Sequence, residues 1–139
     1  MSMNAFFKTV ILGSAFLATS ATADNLNDSR QILCSIVNVN ICQSDGVCVA
    51  ASHLQTNIPQ FIEIDTKTGK LATTAASGEN RETEASQVTQ LDDHVLIHGD
   101  QLGRAFSLLI QKSTGQASFA SVADGNATVV FAACTPKTD

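Results

Sequence analysis

Four cysteines, Cys34, Cys42, Cys48 and Cys134, limit the folds that are open to this chain. They are spaced as C-x7-C-x5-C, followed by a long gap to the last one. A zinc site would use close pairs such as C-x2-C with nearby histidine, and a thioredoxin-like redox site would use CxxC. The spacing therefore favours disulfide bonds, which are typical of small exported domains with an even number of cysteines.

The N-terminus predicts that the chain is exported. The sequence MSMNAFFKTVILGSAFLATSATA has one charge, Lys8, then an apolar run, and then small residues that end in Ala-Thr-Ala. That order is typical of a secretory signal peptide, and the run is shorter than the roughly 20 residues of a transmembrane helix. We expect a signal peptide at 1–23, a single domain at 24–136 and a short tail at 137–139. The mature protein would be periplasmic or secreted, without membrane insertion after cleavage.

The charge of the mature chain excludes one class of partner. The full chain has a formal net charge of −5, and removal of Lys8 with the signal peptide makes it −6. The remaining basic residues are scattered along the sequence. Because a nucleic-acid-binding protein needs positive charge clustered on one face, we expect no nucleic-acid partner.

Four cysteines leave three connectivities open, and strand periodicity favours one of them. The stretch LCSIVNVNI alternates as a half-buried strand does, and the QSDG that follows Cys42 is a turn signal. Cys42 and Cys48 would then face each other across a hairpin, which leaves Cys34 for Cys134. We predict these two pairs, the second of which would join the first strand to the last.

Short strands separated by turns fill the rest of the sequence. Tight hairpins are predicted where Gly69 and Gly115 can take positive φ, and a further hairpin turn at Asp124-Gly125. The segment 52–59 is expected to hold one helical turn that ends before its proline. No helical stretch has the length that an α/β fold needs. We predict an all-β fold, an antiparallel meander of about eight or nine strands closed as a small, lipocalin-like barrel and stapled by disulfides.

Candidate chemical groups are few. On a strand, His94 and His98 share a face but lie about 13 Å apart, too far to bind one zinc ion. The carboxylate pair Glu63 and Asp65 is expected to be solvated on the outer face of a strand. There is no G-x-S-x-G motif, and no nucleophile, base and orienting group can be named together. We expect no catalytic residue, no metal site and no cofactor, and therefore a protein that is not an enzyme.

From Cys34 to Pro136 the chain resembles a family of small exported proteobacterial β-rich proteins. The resemblance rests on C-x7-C-x5-C, NIPQFIEID, GRAFSLLIQKSTG and the ending VVFAACTP. It implies an exported β-rich domain and supplies no activity. In size, export and cysteine use the chain is also similar to periplasmic lysozyme inhibitors, which are small β-barrels, although their inhibitory Ser and Lys motif has no counterpart here.

Two hypotheses for function follow. In the first, the barrel binds a small apolar or amphipathic molecule inside. The residues that we expect to face this ligand are Val37, Val39, Ile62, Ile64, Phe106, Leu108 and Phe131. A barrel this small can also be filled by its own side chains. In that case a second hypothesis is better, namely binding to a secreted protein partner such as lysozyme or another hydrolase, through the irregular segments 52–59 and 76–82.

Overall fold

The computed structural model describes residues 25–138, and the fold within them is almost entirely β. The strands are β1 (Gln31–Gln43), β2 (Cys48–Ala51), β3 (Phe61–Asp65), β4 (Leu71–Thr73), β5 (Glu82–Thr83), β6 (Gln87–Gln90), β7 (His94–Gln101), β8 (Arg104–Gln111), β9 (Gln116–Ala123) and β10 (Asn126–Pro136). A short helix α1 (His53–Thr56) precedes β3, and a 3-10 turn (Ala75–Ser77) precedes β5. The predicted signal peptide and its cleavage at Asp24 lie outside the described residues.

All strands form one antiparallel sheet, which confirms the predicted class. The order across the sheet is β5-β4-β3-β1-β10-β9-β8-β7-β6, and β2 pairs with β1 beside this path. The sheet curls into a half-barrel. Within residues 25–138 no helix is long and apolar enough to cross a membrane.

The first and last strands lie side by side at the centre of the sheet. β1 and β10 are the two longest strands, and Cys34 lies directly opposite Cys134 in their register. These two cysteines form a disulfide, and a second disulfide joins Cys42 to Cys48 across the β1–β2 hairpin. These are the two pairs that strand periodicity predicted.

The two edges of the half-barrel are joined by consecutive chain. Only residues 84–86 separate β5, at one edge, from β6, at the other. The backbone N–H of Ala85 donates to the carbonyl of Gly69 beside β4 (3.2 Å), and that of Ser86 donates to the carbonyl of His98 in β7 (2.8 Å). This segment therefore links the two edges of the half-barrel through hydrogen bonds to both sides.

The predicted inner face of β1 is wrong at one residue. The register between β1 and β10 shifts between Ile36 and Asn38, so Val37 is an extra residue that forms a β-bulge. Because strand side chains alternate with a period of two, one extra residue moves the following side chains to the other face. Val39 is consequently buried, with 2% of its surface exposed, whereas Val37 is 71% exposed.

The predicted turns are found where the sequence placed them. Gly69, Gly115 and Gly125 all have positive φ at the ends of tight hairpins. The helical turn α1 begins after Ser52, whose hydroxyl accepts from the backbone N–H of Gln55, and it ends before Pro59. The reciprocal bond from the Ser52 N–H to the Gln55 side chain completes a capping box, which explains why so short a helix forms.

Most of the buried apolar residues form one cluster between the curled halves of the sheet. Its members come from nearly every long strand and from Leu26, ahead of β1. They are Leu26, Ile32, Cys34, Ile64, Val95, Ile97, Phe106, Leu108, Ile110, Ala117 and Cys134. This cluster forms the floor on which the site described below is built.

Candidate functional site

The concave face of the half-barrel encloses a cavity of about 370 Å³. This volume lies within the range of about 300–1,000 Å³ that is typical of small-molecule sites. Small side chains make this space, since Ala72, Ala117 and Ala132 stand in the wall where larger residues would fill it. The side chains of the concave face therefore leave space between them.

The strand β8 shows how the cavity is built. Its inward side chains are Arg104, Phe106 and Leu108, at every second position. Arg104 is exposed at the open end, whereas Phe106 and Leu108 are buried. At about 3.4 Å per residue, the distance along β8 from Arg104 to Leu108 is about 14 Å, which sets the depth of this wall. The wall is therefore polar at its mouth and apolar below.

The next two strands repeat this gradient. Their inward residues, taken from the open end inward, are Ser121, Phe119 and Ala117 in β9, and Thr128, Val130 and Ala132 in β10. The register places Phe106 opposite Ser121 and Leu108 opposite Phe119. The polar Ser121 and Thr128 therefore share one level near the mouth with Phe106, and the levels beneath it are apolar.

Two phenylalanines dominate the apolar part. The rings of Phe106 and Phe119 stack with centroids 5.8 Å apart. Gly99 lies opposite Phe106 on β7, and a Cβ atom at Gly99 would be only 2.5 Å from the Phe106 ring. The absence of a side chain at Gly99 therefore lets the Phe106 ring occupy its position in the cavity wall.

The charged groups of the lining are all of one sign. Among the described residues that line the cavity, the charged ones are Arg81 and Arg104. Arg81 donates from Nη1 to the backbone carbonyl of Asn57 (3.0 Å) and to Glu79 Oε2 (3.2 Å). Arg104 forms no ion pair within residues 25–138. The mouth therefore carries one arginine that is already paired and one that forms no ion pair with the described part of the chain.

Two hydroxyl groups lie one level below the mouth. Ser121 and Thr128 are directly opposite each other in the β9–β10 register, and both line the cavity. Thr128 is largely buried, at 8% exposure. Neither hydroxyl has a hydrogen-bond partner among residues 25–138. Both are free to bond a polar group that enters the cavity.

Exposed leucines stand at the mouth. Leu102 is 95% exposed, lines the cavity entrance and has a positive φ of 51°, in a two-residue turn with Gly103. A left-handed conformation costs a residue such as leucine about 1–2 kcal/mol. Leu54, on α1, is 79% exposed and lies two residues before Thr56, which lines the entrance.

The structure brings together four of the seven residues that we expected to face a ligand. Ile62, Ile64, Phe106 and Leu108 line the cavity. The three residues that do not line it are Val37, Val39 and Phe131. Val37 and Val39 border a smaller pocket of about 260 Å³ beside the bulge.

Phe131 lies on the outer face of β10, 46% exposed, and Val130 takes the inner position instead. The disulfide links this error to the one on β1. Cys134 shares a face with its partner Cys34, so once Cys34 is known to be buried, the inward residues of β10 are those at even numbers. The polar members of the lining, above all Arg104, were missed because nothing local marks the mouth of a barrel.

The other candidate groups are placed apart from the cavity. His94 and His98 lie on β7 as expected, on the face opposite the buried Val95 and Ile97. Across residues 25–138, no group of three or more His, Cys, Asp or Glu side chains is arranged to hold a metal ion.

Comparison with known proteins adds no family. No protein-family model matches the chain, and a search of curated protein sequences found no significant match. The resemblance to small exported proteobacterial proteins therefore stays a prediction, and the function has to be argued from the site.

Proposed function

We propose that this protein is a non-enzymatic binding protein that holds a small apolar or amphipathic molecule inside its half-barrel. The observation that carries the proposal is the open cavity of about 370 Å³ with an apolar floor. An unfilled apolar cavity leaves its lining without packing partners, and a ligand that covers this surface gains about 25 cal/mol for each Å² removed from water.

The covalent structure supports an exported location. Both pairs of cysteines are disulfide-bonded, and disulfides form and persist in oxidising environments outside the cytoplasm. Together with the predicted signal peptide, this supports a periplasmic or secreted protein.

Native mass spectrometry of the exported protein, purified without detergent, tests the proposal. We expect the native spectrum to carry a non-covalent mass that is lost in the denaturing spectrum. The variant Ala132→Leu adds three carbon atoms to the cavity wall and should reduce this extra mass strongly. Its matched control is Ala133→Leu, one residue along β10, because Ala133 is exposed on the outer face and does not line the cavity.

Two further outcomes would decide against the proposal. The first is a native mass equal to the denatured mass, together with no rise in melting temperature when an aliphatic compound is added, since any ligand that binds only the folded state must stabilise it. The second is an extra mass that Ala132→Leu and Ala133→Leu retain equally, because that ligand would lie outside the cavity.

One observation favours the alternative of a protein partner. The segments 52–59 and 76–82, expected as contact regions, both reach the mouth, where Asn57 and Arg81 line it. Leu54, in the first segment, is 79% exposed. If a secreted hydrolase such as lysozyme forms a stable complex with the protein on a sizing column, and Leu54→Ser abolishes it while Ala132→Leu does not, this surface rather than the cavity is the binding site.

A further inference from the structure

We infer that the ligand is an amphiphile with a single negative charge, of the chemical class of a fatty acid, with its acid group at Arg104 and its tail against the stacked phenylalanines. This inference rests on the proposed function, because it specifies what the same cavity binds. It is carried by the signs of the charges around the mouth and by the order of polar and apolar groups along the wall.

The charges of the lining contrast with those of the chain. The chain has 13 acidic and 8 basic residues, yet no Asp or Glu is among the described residues of the cavity lining. Two of the three arginines in the sequence stand there instead, Arg81 and Arg104. The third, Arg30, is paired with Asp65 away from the cavity. A cavity lined in this way attracts an anion and repels a cation.

The number of unpaired charges sets the charge of the ligand. Glu79 already binds Arg81 at 3.2 Å, so these two groups together add no net charge at the mouth. Arg104 is left as the one uncompensated cation among the described residues of the lining. A carboxylate would neutralise it, and the planar guanidinium can donate two parallel hydrogen bonds to such a group. A group with two negative charges would leave one of them unpaired beside an apolar wall.

The gradient along the wall sets the orientation. An acid group at Arg104 would lie one level above the hydroxyls of Ser121 and Thr128, which have no partner within residues 25–138. Phe106 lies at the level of these hydroxyls, and below them the wall is formed by Leu108, Phe119 and other apolar groups. The tail therefore points inward and the acid group outward, so that the charge keeps part of its hydration at the exposed Arg104.

The test compares three probes that each have a twelve-carbon chain, used below the concentrations at which they form micelles. They are dodecanoate, dodecanol and dodecyltrimethylammonium, titrated by calorimetry at neutral pH into the delipidated mature protein. We expect dodecanoate to bind about tenfold or more tightly than dodecanol, since hydrogen bonds to a charged group are the stronger ones, and the cation to bind most weakly.

Two variants locate the charge. Arg104→Gln should weaken dodecanoate binding about tenfold and leave dodecanol within about twofold. Lys67→Gln is the matched control, because Lys67 is an exposed cation on the β3–β4 turn at the other end of the barrel and lines no part of the cavity. It should change neither affinity. Dodecyl phosphate, tested as a further probe, should bind more weakly than dodecanoate when it carries two charges.

The outcomes separate this inference from the proposed function. If dodecanol binds as tightly as dodecanoate and Arg104→Gln changes neither affinity, the cavity binds apolar molecules and the acid-group inference is wrong. The inference is also wrong if Lys67→Gln weakens dodecanoate binding as much as Arg104→Gln does, since the effect would then be one of overall charge. If none of the probes binds, and native mass spectrometry shows no bound mass, the proposed function fails together with the inference.

Discussion

Asp65, at the end of β3, is the most connected charged residue among residues 25–138. Its Oδ1 accepts from the backbone N–H groups of Lys67 and Thr68, both at 2.9 Å. Its Oδ2 accepts from Arg30 Nε (2.9 Å) and from Gln31 Nε2 (2.8 Å). One buried carboxylate thus fixes the β3–β4 turn and ties it to the start of β1.

These contacts change the acidity of Asp65. Burial would raise its pKa, but the hydrogen bonds from the Arg30 side chain and from the backbone of Thr68 and Lys67 outweigh burial and lower the pKa from 3.8 to about 2. A carboxyl whose pKa is lower in the folded state stabilises the fold fully at pH values above its unfolded pKa. That contribution is lost as the pH falls from about 3.8 to about 2.

We expect Asp65→Asn to lower the free energy of unfolding at neutral pH by about 1–2 kcal/mol, because the hydrogen bonds from Arg30 would then go to a neutral amide instead of a carboxylate. The loss is limited to this size because Arg30 is exposed to solvent. Melting temperatures recorded from neutral pH down to pH 2 should show the difference between the native chain and the variant shrinking below about pH 3.8. Asp92→Asn is the control, because Asp92 is exposed and forms no hydrogen bond through its carboxylate within residues 25–138. A difference in melting temperature between the native chain and Asp65→Asn that stays constant with pH would contradict this account.

The sequence did not reveal this role. Glu63 and Asp65 looked like one solvated pair, and Glu63 does lie near the surface, where it accepts a hydrogen bond from Lys137 (2.9 Å). The partners that bury Asp65, Arg30 and Gln31, are more than thirty residues away in the chain. The local sequence pattern predicts which face of the strand a side chain occupies. Which residues from distant parts of the chain cover that side chain is decided only by the fold.

At the scale of the element, the bulge in β1 predicts unequal losses of stability for substitutions at Val37 and Val39, whereas a regular strand would predict similar losses. Val37 and Val39 are two residues apart and should share a face, but Val37 is 71% exposed and Val39 is 2% exposed. We expect Val37→Thr to change the free energy of unfolding by less than about 0.5 kcal/mol. Val39→Thr, a change of the same shape, should cost about 1–3 kcal/mol because it buries a hydroxyl group.

Urea unfolding of the two variants measures this directly, and each serves as the control of the other. Equal losses would mean that both side chains are buried and that β1 is regular in solution. A larger loss for Val37→Thr would place the bulge elsewhere on the strand.

Elements were predictable where their signals are local. Hairpin turns with Gly69, Gly115 and Gly125 follow from a backbone conformation that glycine adopts without cost, and the start of α1 follows from Ser52 and its cap. The bulge has no such local signal, because it exists only in the register between β1 and β10. Errors in the predicted inner face therefore cluster on these two strands, which pair with each other without a turn between them.

At the scale of the whole molecule, the predicted disulfide between the first and last strands indicated the architecture. Once Cys34 was assigned to Cys134, sequential hairpins left little choice but a curled antiparallel sheet, and this is what the structure has. The cavity was not predictable in the same way, because its volume depends on how strongly the sheet curls and on small residues such as Ala117 and Ala132 facing each other. A sequence that specifies a barrel does not by itself say whether the barrel is full.

The two disulfides should contribute unequally to stability because they close loops of very different length. The sequence separation is 100 residues for Cys34–Cys134 and 6 for Cys42–Cys48. In the chain-entropy model, the long loop is worth about 4–5 kcal/mol and the short one about 2–3 kcal/mol. We expect urea unfolding of the Cys34→Ala/Cys134→Ala variant to show the larger loss, with Cys42→Ala/Cys48→Ala as its control, since each removes one disulfide. Equal losses, or a larger loss from the short loop, would mean that native contacts around the cystines, rather than restriction of the unfolded chain, set their value.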